Sequence, residues 1–116
     1  MRYLLGIYGD EKVWDTFPPE QQGKESAKYN EYSQWLRDQG LYVGGDALAG
    51  TDQATTVQSR DGKTTTTDGP FAETKEQLGG YYIIECANLD EAIEAAGKIP
   101  TVATGGSIEV RPLIDM

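Results

Sequence analysis

The feature that most constrains the fold is the order of predicted elements, because a strand, a helix and a strand occur twice along the chain. The first strand, residues 2–8 (RYLLGIY), has apolar residues on both faces. A strand that is apolar on both faces is typical of the centre of a sheet. The remaining predicted elements are a helix from Pro19 or Glu20 to Gln39, a strand at 41–48, a strand at 78–87, a helix beginning at Asn88 or Asp90, and a strand at 107–113.

Local signals mark both ends of the first predicted helix. Residues 10–19 are predicted to be a loop, and Pro18-Pro19 can open a helix but cannot lie inside one. Tyr29, Tyr32 and Leu36 recur at helical spacing and indicate the buried side. Gly40 suits the position just after the last turn, and Leu41 would make the apolar contact that accompanies it.

The second predicted helix and the last strand each show an amphipathic pattern. Pro100 is predicted to stop this helix. On the last strand, Ile108 and Val110 lie on one face, and Glu109 and Arg111 lie on the other. The predicted buried stripe of the helix consists of Leu89, Ala92, Ile93 and Ala96.

Between the two halves, the sequence predicts a β-hairpin. Its arms are residues 55–59 and 64–68, and Asp61-Gly62 supplies a turn that tolerates positive φ at both central positions. We therefore predict an α+β, ferredoxin-like split βαβ sheet with an inserted hairpin.

In such a sheet both helices pack on one face and leave the other face open. Tyr81, Ile83 and Glu85 form one alternation of the strand at 78–87 and are expected on that open face. An exposed face with aromatic and aliphatic residues favours a homodimer that packs two sheets together.

Composition narrows the classes of partner and compartment. The 116 residues fit one domain spanning 1–116, and the formal net charge of −9 argues against nucleic acid or an anionic membrane as a partner. The single cysteine, Cys86, excludes an intrachain disulfide and favours a reducing cytoplasm. The N-terminus does not resemble a signal peptide, and no apolar run reaches the roughly 18 residues of a membrane helix.

The most distinctive segment is TDGPFAETKE, residues 67–76. Asp68-Gly69-Pro70 predicts a turn, and Phe71 is expected to enter the core or an interface. Residues 72–76 are expected to form one helical turn. Lys75 lies between carboxylates in the chain.

Two sets of candidate site residues follow from this segment and the strand after it. Asp68 and Glu73 are candidate catalytic carboxylates, with Tyr81 as a hydrogen-bond donor. In the alternative interpretation, Asp68 caps a turn and Glu73 pairs with Lys75. The candidate ligand-binding residues are Phe71, Lys75, Glu76, Glu85 and Arg111.

The alternative for Arg111 is an ion pair with Glu85, Glu109 or a carboxylate of the segment across the dimer. We expect no metal and no cofactor, because the chain has no histidine and only one cysteine. Cys86 is expected to be a small buried apolar residue.

The segment and its surroundings resemble the YCII-related family, in the branch named for its DGPF motif. The matching residues are Asp68-Gly69-Pro70-Phe71, Leu78-Gly79-Gly80-Tyr81-Tyr82, the opening Arg2-Tyr3-Leu4-Leu5, Leu89-Asp90-Glu91-Ala92 and Ile108-Glu109-Val110-Arg111-Pro112.

This resemblance implies a dimeric α+β barrel. Some members have a proposed His–Asp catalytic pair, which this chain lacks because it has no histidine. Genes of similar members often lie beside genes for alternative sigma factors. We therefore expect a ligand-binding or regulatory module with a small-molecule ligand or a regulatory protein partner. The alternative is a small isomerase- or lyase-like enzyme that uses carboxylate and tyrosine acid–base chemistry.

Overall fold

Six strands and four helices make up the computed structural model, which describes residues 1–116. In chain order they are β1 (Arg2–Gly9), α1 (Glu11–Asp15), α2 (Pro19–Asp38), β2 (Tyr42–Ala47), β3 (Thr55–Arg60), β4 (Lys63–Asp68), β5 (Gln77–Glu85), α3 (Leu89–Gly97), α4 (Pro100–Ala103) and β6 (Ser107–Pro112). A short 3₁₀ turn, Thr51–Gln53, precedes β3. No helix combines the length and the apolar character needed to cross a membrane.

Four of the strands form an antiparallel sheet in the order β2-β5-β1-β6. The predicted central position of β1 is confirmed, since β1 pairs with β5 on one side and β6 on the other. Strand β5 separates β1 from β2, which is the split arrangement of a ferredoxin-like α+β fold.

The core lies between one face of this sheet and the helices. Its largest fully buried side chains are Leu5 of β1, Leu36 of α2, Ile84 of β5 and Ile99. Three small residues of α3, Ala92, Ala95 and Ala96, complete this core. Most of the apolar area removed from water therefore lies on this side of the sheet.

Helix α2 begins and ends where the sequence predicts. Pro19 occupies its first turn, and Gly40 follows its end with φ +71°. The Leu41 amide donates to the Leu36 carbonyl at 2.9 Å, and the Gly40 amide donates to Arg37 at 3.0 Å. These two bonds form a Schellman motif, which satisfies carbonyls that the helix would otherwise leave unpaired.

The other face of the sheet has no helix over it. In β5, Tyr82 and Ile84 are buried beneath the helices, while the alternate residues Tyr81 and Ile83 stay partly exposed. Leu4 of β1 pairs with Ile83 and belongs to the same face. This apolar surface, with Tyr8 and Leu78 beside it, is called the open face below.

The predicted hairpin is present as a separate two-stranded sheet, β3-β4. Asp61 and Gly62 both have positive φ, 52° and 76°, as expected for a tight Asp-Gly turn. The chain has a radius of gyration of 16.0 Å, against about 13 Å for a compact chain of this length. The hairpin, called the arm below, therefore projects from the body.

Two loop predictions were wrong. Glu11–Asp15 is a short helix, because the Asp10 carboxylate accepts from the Lys12 amide at 3.0 Å and caps it. Residues 72–76 do not form a helical turn. The Gln77 side chain donates to the carbonyls of Ala72 and Thr74, and these two hydrogen bonds hold the segment in a non-helical bend.

Two details of the second predicted helix were also wrong. Leu89 and Ile93 are 49% and 53% exposed, whereas Ala92, Ala95 and Ala96 are the buried residues of α3. Pro100 does not terminate α3, which already ends at Gly97; it begins the short helix α4.

Candidate functional site

A groove of about 1280 Å³ lies between the first half of α2 and one end of the sheet. Glu25, Tyr29 and Ser33 line its helical wall, and Tyr82 of β5 lines the sheet side. Helix α1 and residues 48–52 lie along its rim. A groove of this kind, with a few polar groups inside, is the usual form of a small-molecule site.

Hydroxyl groups are concentrated on the inner walls of the groove. The Tyr82 hydroxyl and Ser33 Oγ are hydrogen-bonded at 2.8 Å, and the Tyr29 hydroxyl is hydrogen-bonded to Thr101 Oγ1. Burial, together with the nearby Tyr82, raises the pKa of Tyr29 to about 12. Tyr29 therefore stays protonated at neutral pH and acts as a neutral hydrogen-bonding group.

Tyr32 holds Tyr82 in place from the core side. The two rings meet edge to face with centroids 5.2 Å apart, and the Tyr32 hydroxyl donates to the Ala95 carbonyl at 2.7 Å. Burial raises the pKa of Tyr32, with the nearby Tyr82 a smaller cause. The Tyr82 ring is thus held by Tyr32, and its hydroxyl is held by Ser33, which gives the sheet side of the groove a defined shape.

Glu25 is the charged residue most nearly buried in the groove, at 9% exposure. Its Oε1 accepts from Lys28 Nζ at 3.0 Å, while no hydrogen bond reaches Oε2. Every buried side-chain nitrogen and oxygen of the chain has a hydrogen-bond partner, so Oε2 is in contact with the solvent of the groove. The unpaired oxygen is therefore available to a donor from a bound molecule.

The rim of the groove is fixed by one carboxylate. Glu11 accepts from the Thr51 amide at 2.8 Å and from the Thr51 hydroxyl at 2.7 Å, which ties α1 to the turn after β2. Trp14 and Phe17 lie on the same rim with ring centroids 6.0 Å apart. The rim thus adds apolar surface to a groove with polar inner walls.

Alkaline pH is expected to destabilise the protein through Tyr29. Its folded pKa of about 12 exceeds the ordinary value of 10.0, so above pH 10 the unfolded state loses this proton while the folded state retains it. The contribution is complete below pH 10 and disappears as the pH rises toward 12. Urea unfolding across this range should show a falling free energy of unfolding. Tyr29→Phe should make the decline shallower, and an unchanged slope would contradict this assignment.

Of the three predicted catalytic residues, Tyr81 lines the groove, whereas Asp68 and Glu73 do not. Asp68 pairs through its backbone with Thr55 at the base of the arm, and the Asp68 and Glu73 side chains make no hydrogen bond or ion pair. Tyr81 lies on the open face and donates to Asp46 Oδ2 at 2.9 Å. This hydrogen bond and the charge of Asp46 raise the pKa of Tyr81.

The predicted ligand-binding residues are divided among three regions. Lys75 and Glu76 line the groove. Phe71 is 86% exposed and does not enter the core of the single chain, while the other expected position, at an interface, stays a prediction. Glu85 is exposed on the open-face side of β5, opposite Arg2. Arg111 forms an ion pair with Glu109, as the alternative interpretation expected.

Sequence reasoning missed Glu25, Ser33 and Asp46. Glu25, Tyr29 and Ser33 occur at intervals of four residues, which places them along one side of a helix. That spacing was visible in the sequence, but the tyrosine that faces them is 49 residues beyond Ser33. Only the folded chain shows that they enclose space.

The glycines beside the groove serve backbone packing. A Cβ on Gly45 would approach the Tyr81 carbonyl to 2.7 Å, and one on Gly80 would approach the Asp46 carbonyl to 3.1 Å. These glycines therefore allow β2 and β5 to pair closely. No three His, Cys, Asp or Glu side chains are grouped so as to hold a metal ion. Cys86 is buried, and burial raises the pKa of its thiol.

Two comparisons with known proteins agree. The chain matches the YCII-related domain over residues 1–116. It is 37% identical over 114 residues to an uncharacterised protein of Rhizobium meliloti (strain 1021), which covers 97% of this chain and 92% of that protein.

Proposed function

The chain belongs to the YCII-related family, and we propose that it is a homodimeric module that binds a small molecule in the groove between α2 and the sheet. The observation that carries the proposal is Glu25, a nearly buried carboxylate with one oxygen that has no hydrogen bond within the chain, in a groove lined by tyrosines. Such groups give orientation and specificity to a ligand whose remaining surface is apolar.

The open face supports the homodimer. Leu4, Tyr8, Tyr81 and Ile83 form an apolar surface with no helix over it, and monomers rarely leave a large surface of this kind exposed. The exposed Phe71 at the base of the arm would find its interface in the same assembly. Packing two such sheets face to face gives the dimeric α+β barrel.

The regulatory part of the proposal rests on the DGPF-type resemblance, whose members often lie beside sigma-factor genes. A module that binds a small molecule and changes its contacts with a regulatory protein would suit that setting. We also propose a cytoplasmic location, supported by the single buried thiol of Cys86 and the absence of any intrachain disulfide.

A second candidate function, isomerase- or lyase-like acid–base chemistry, is favoured by one contact. The Tyr81 hydroxyl donates to Asp46, which places a protonated phenol beside a carboxylate at the edge of the sheet. A screen of small organic acids with Asp68→Asn, Glu73→Gln and Tyr81→Phe would test it. Turnover that is equal in all three variants and the parent protein would argue against these residues as catalysts.

Ligand binding is expected to perturb the groove specifically. In amide NMR spectra recorded with a library of neutral, anionic and cationic fragments, shifts should concentrate at residues such as Glu25, Tyr29 and Tyr82. Ser26→Trp places a large side chain at the groove and should weaken binding by at least about tenfold, because the ligand loses its space.

The matched control is Gln34→Trp, on an exposed part of α2 that does not line the groove. It should leave fragment binding unchanged. Shifts that are scattered over the surface, or equal effects of the two tryptophans, would contradict a site in the groove.

A further inference from the structure

The chemistry of the groove selects a class of ligand. Seven carboxylates and a single lysine, Lys75, line it. Some of these acids have local structural partners: Glu11 accepts from Thr51, and Asp46 accepts from Tyr81. Others, Glu25 in particular, keep oxygens free, so the groove attracts cations and repels anions such as phosphates.

Aromatic rings supply a second attraction for cations. Trp14, Phe17, Tyr29, Tyr42 and Tyr82 all line the groove. The faces of such rings carry partial negative charge and attract an ammonium or guanidinium group. The chain already shows this contact at Tyr42, where the Arg37 guanidinium carbon lies 4.4 Å from the ring centroid.

Glu25 provides a specific contact for a cation. This contact is a separate argument from the overall negative charge of the groove. Lys28 reaches only one of its oxygens, and Lys28 itself is half-exposed, with 57% of its side chain in contact with solvent. A carboxylate with one oxygen open to the groove gains more from a charged hydrogen-bond donor than from a neutral one. An amine that enters the groove would supply that donor while its carbon skeleton contacts the aromatic rings.

We propose that the groove binds an organic cation, namely an amine that carries an aromatic or aliphatic body, with Glu25 Oε2 as the acceptor of its N–H group. This inference rests on the proposed function and names its ligand class. A bare metal ion is a poorer occupant, because no three potential ligands are grouped around one point.

Three probes of nearly equal shape test the charge preference. They are phenethylamine, 2-phenylethanol and 3-phenylpropanoate, titrated into the full chain by calorimetry. Phenethylamine should bind at least about tenfold more tightly than 2-phenylethanol, given the strength of hydrogen bonds to charged groups. The anionic 3-phenylpropanoate should bind most weakly, and added salt should weaken phenethylamine binding.

Two variants test the role of Glu25. Glu25→Gln removes the charge with little change in shape and should lower phenethylamine affinity about tenfold, whereas Glu94→Gln, on the exposed side of α3, should not change it. Lys28→Met removes the competing cation and should tighten phenethylamine binding, with Lys24→Met as its control. A purely structural role for Glu25 would not produce this gain.

The outcomes distinguish this inference from the proposed function. If 2-phenylethanol or 3-phenylpropanoate binds in the groove as tightly as phenethylamine, the ligand class is wrong and the binding module stands. Equal phenethylamine affinity in Glu25→Gln and the parent protein also overturns the inference. If no fragment of any charge binds in the groove, the proposed function fails together with it.

Discussion

Replacing Ile84 with alanine is expected to lower the free energy of unfolding by about 2–5 kcal/mol. Ile84 is fully buried at the centre of β5, where its backbone pairs with Tyr3 of β1 and Tyr42 of β2. Truncation removes apolar contacts and leaves a cavity between the sheet and the helices, which cannot collapse to fill it. Urea unfolding followed by far-ultraviolet circular dichroism measures the change.

The matched control is Ile93→Ala on α3. Ile93 is 53% exposed, so this substitution should change the free energy of unfolding by less than about 1 kcal/mol. Similar losses in the two variants would mean that Ile84 is no more buried than Ile93 and would contradict the burial of β5 beneath the helices. An altered dependence on urea in Ile84→Ala would instead indicate a change in the compactness of the unfolded state.

Element order was predictable because local chemistry marks most of the boundaries. Pro19 begins α2, and Gly40 ends it through two backbone hydrogen bonds. Asn88 caps α3 by accepting from the Glu91 amide at 3.0 Å. Each signal depends on neighbours in the chain, so the sequence alone contains it.

The exposure of Leu89 and Ile93 shows the limit of predicting burial from helical periodicity. Leu89 and Ile93 lie at helical spacing with Ala92 and Ala96, yet only the alanines are buried. How closely a helix approaches a sheet depends on the packing of both surfaces. Periodicity indicates a helical face, but it does not tell which edge of that face contacts the core.

The candidate site was the least predictable part of the molecule. The TDGPFAETKE segment is distinctive in composition, but the side chains of Asp68 and Glu73 make no hydrogen bond or ion pair within the chain. Glu25 belongs to an ordinary polar stretch of α2 and becomes notable only when Tyr82 faces it across the groove. A family signature in the sequence and a site in the structure are therefore different kinds of information.

Ile83→Asp is expected to convert the proposed homodimer into a monomer. In β5, Ile83 is next to Ile84 but points to the open face, where its backbone pairs with Leu4 on one side and Gly44 on the other. If two open faces pack together, the new carboxylate is removed from water without a counter-charge, at a cost of several kcal/mol. Light scattering during size-exclusion chromatography at micromolar concentration measures the mass.

Ile93→Asp is the control, because it introduces the same charge at a residue of similar size on the helical layer. This variant should remain dimeric, whereas Ile83→Asp should elute with half the mass and retain its secondary structure. A parent protein that is monomeric at micromolar concentration would refute the dimer. If Ile93→Asp dissociates while Ile83→Asp does not, the interface lies on the helices, and the open face needs a different explanation.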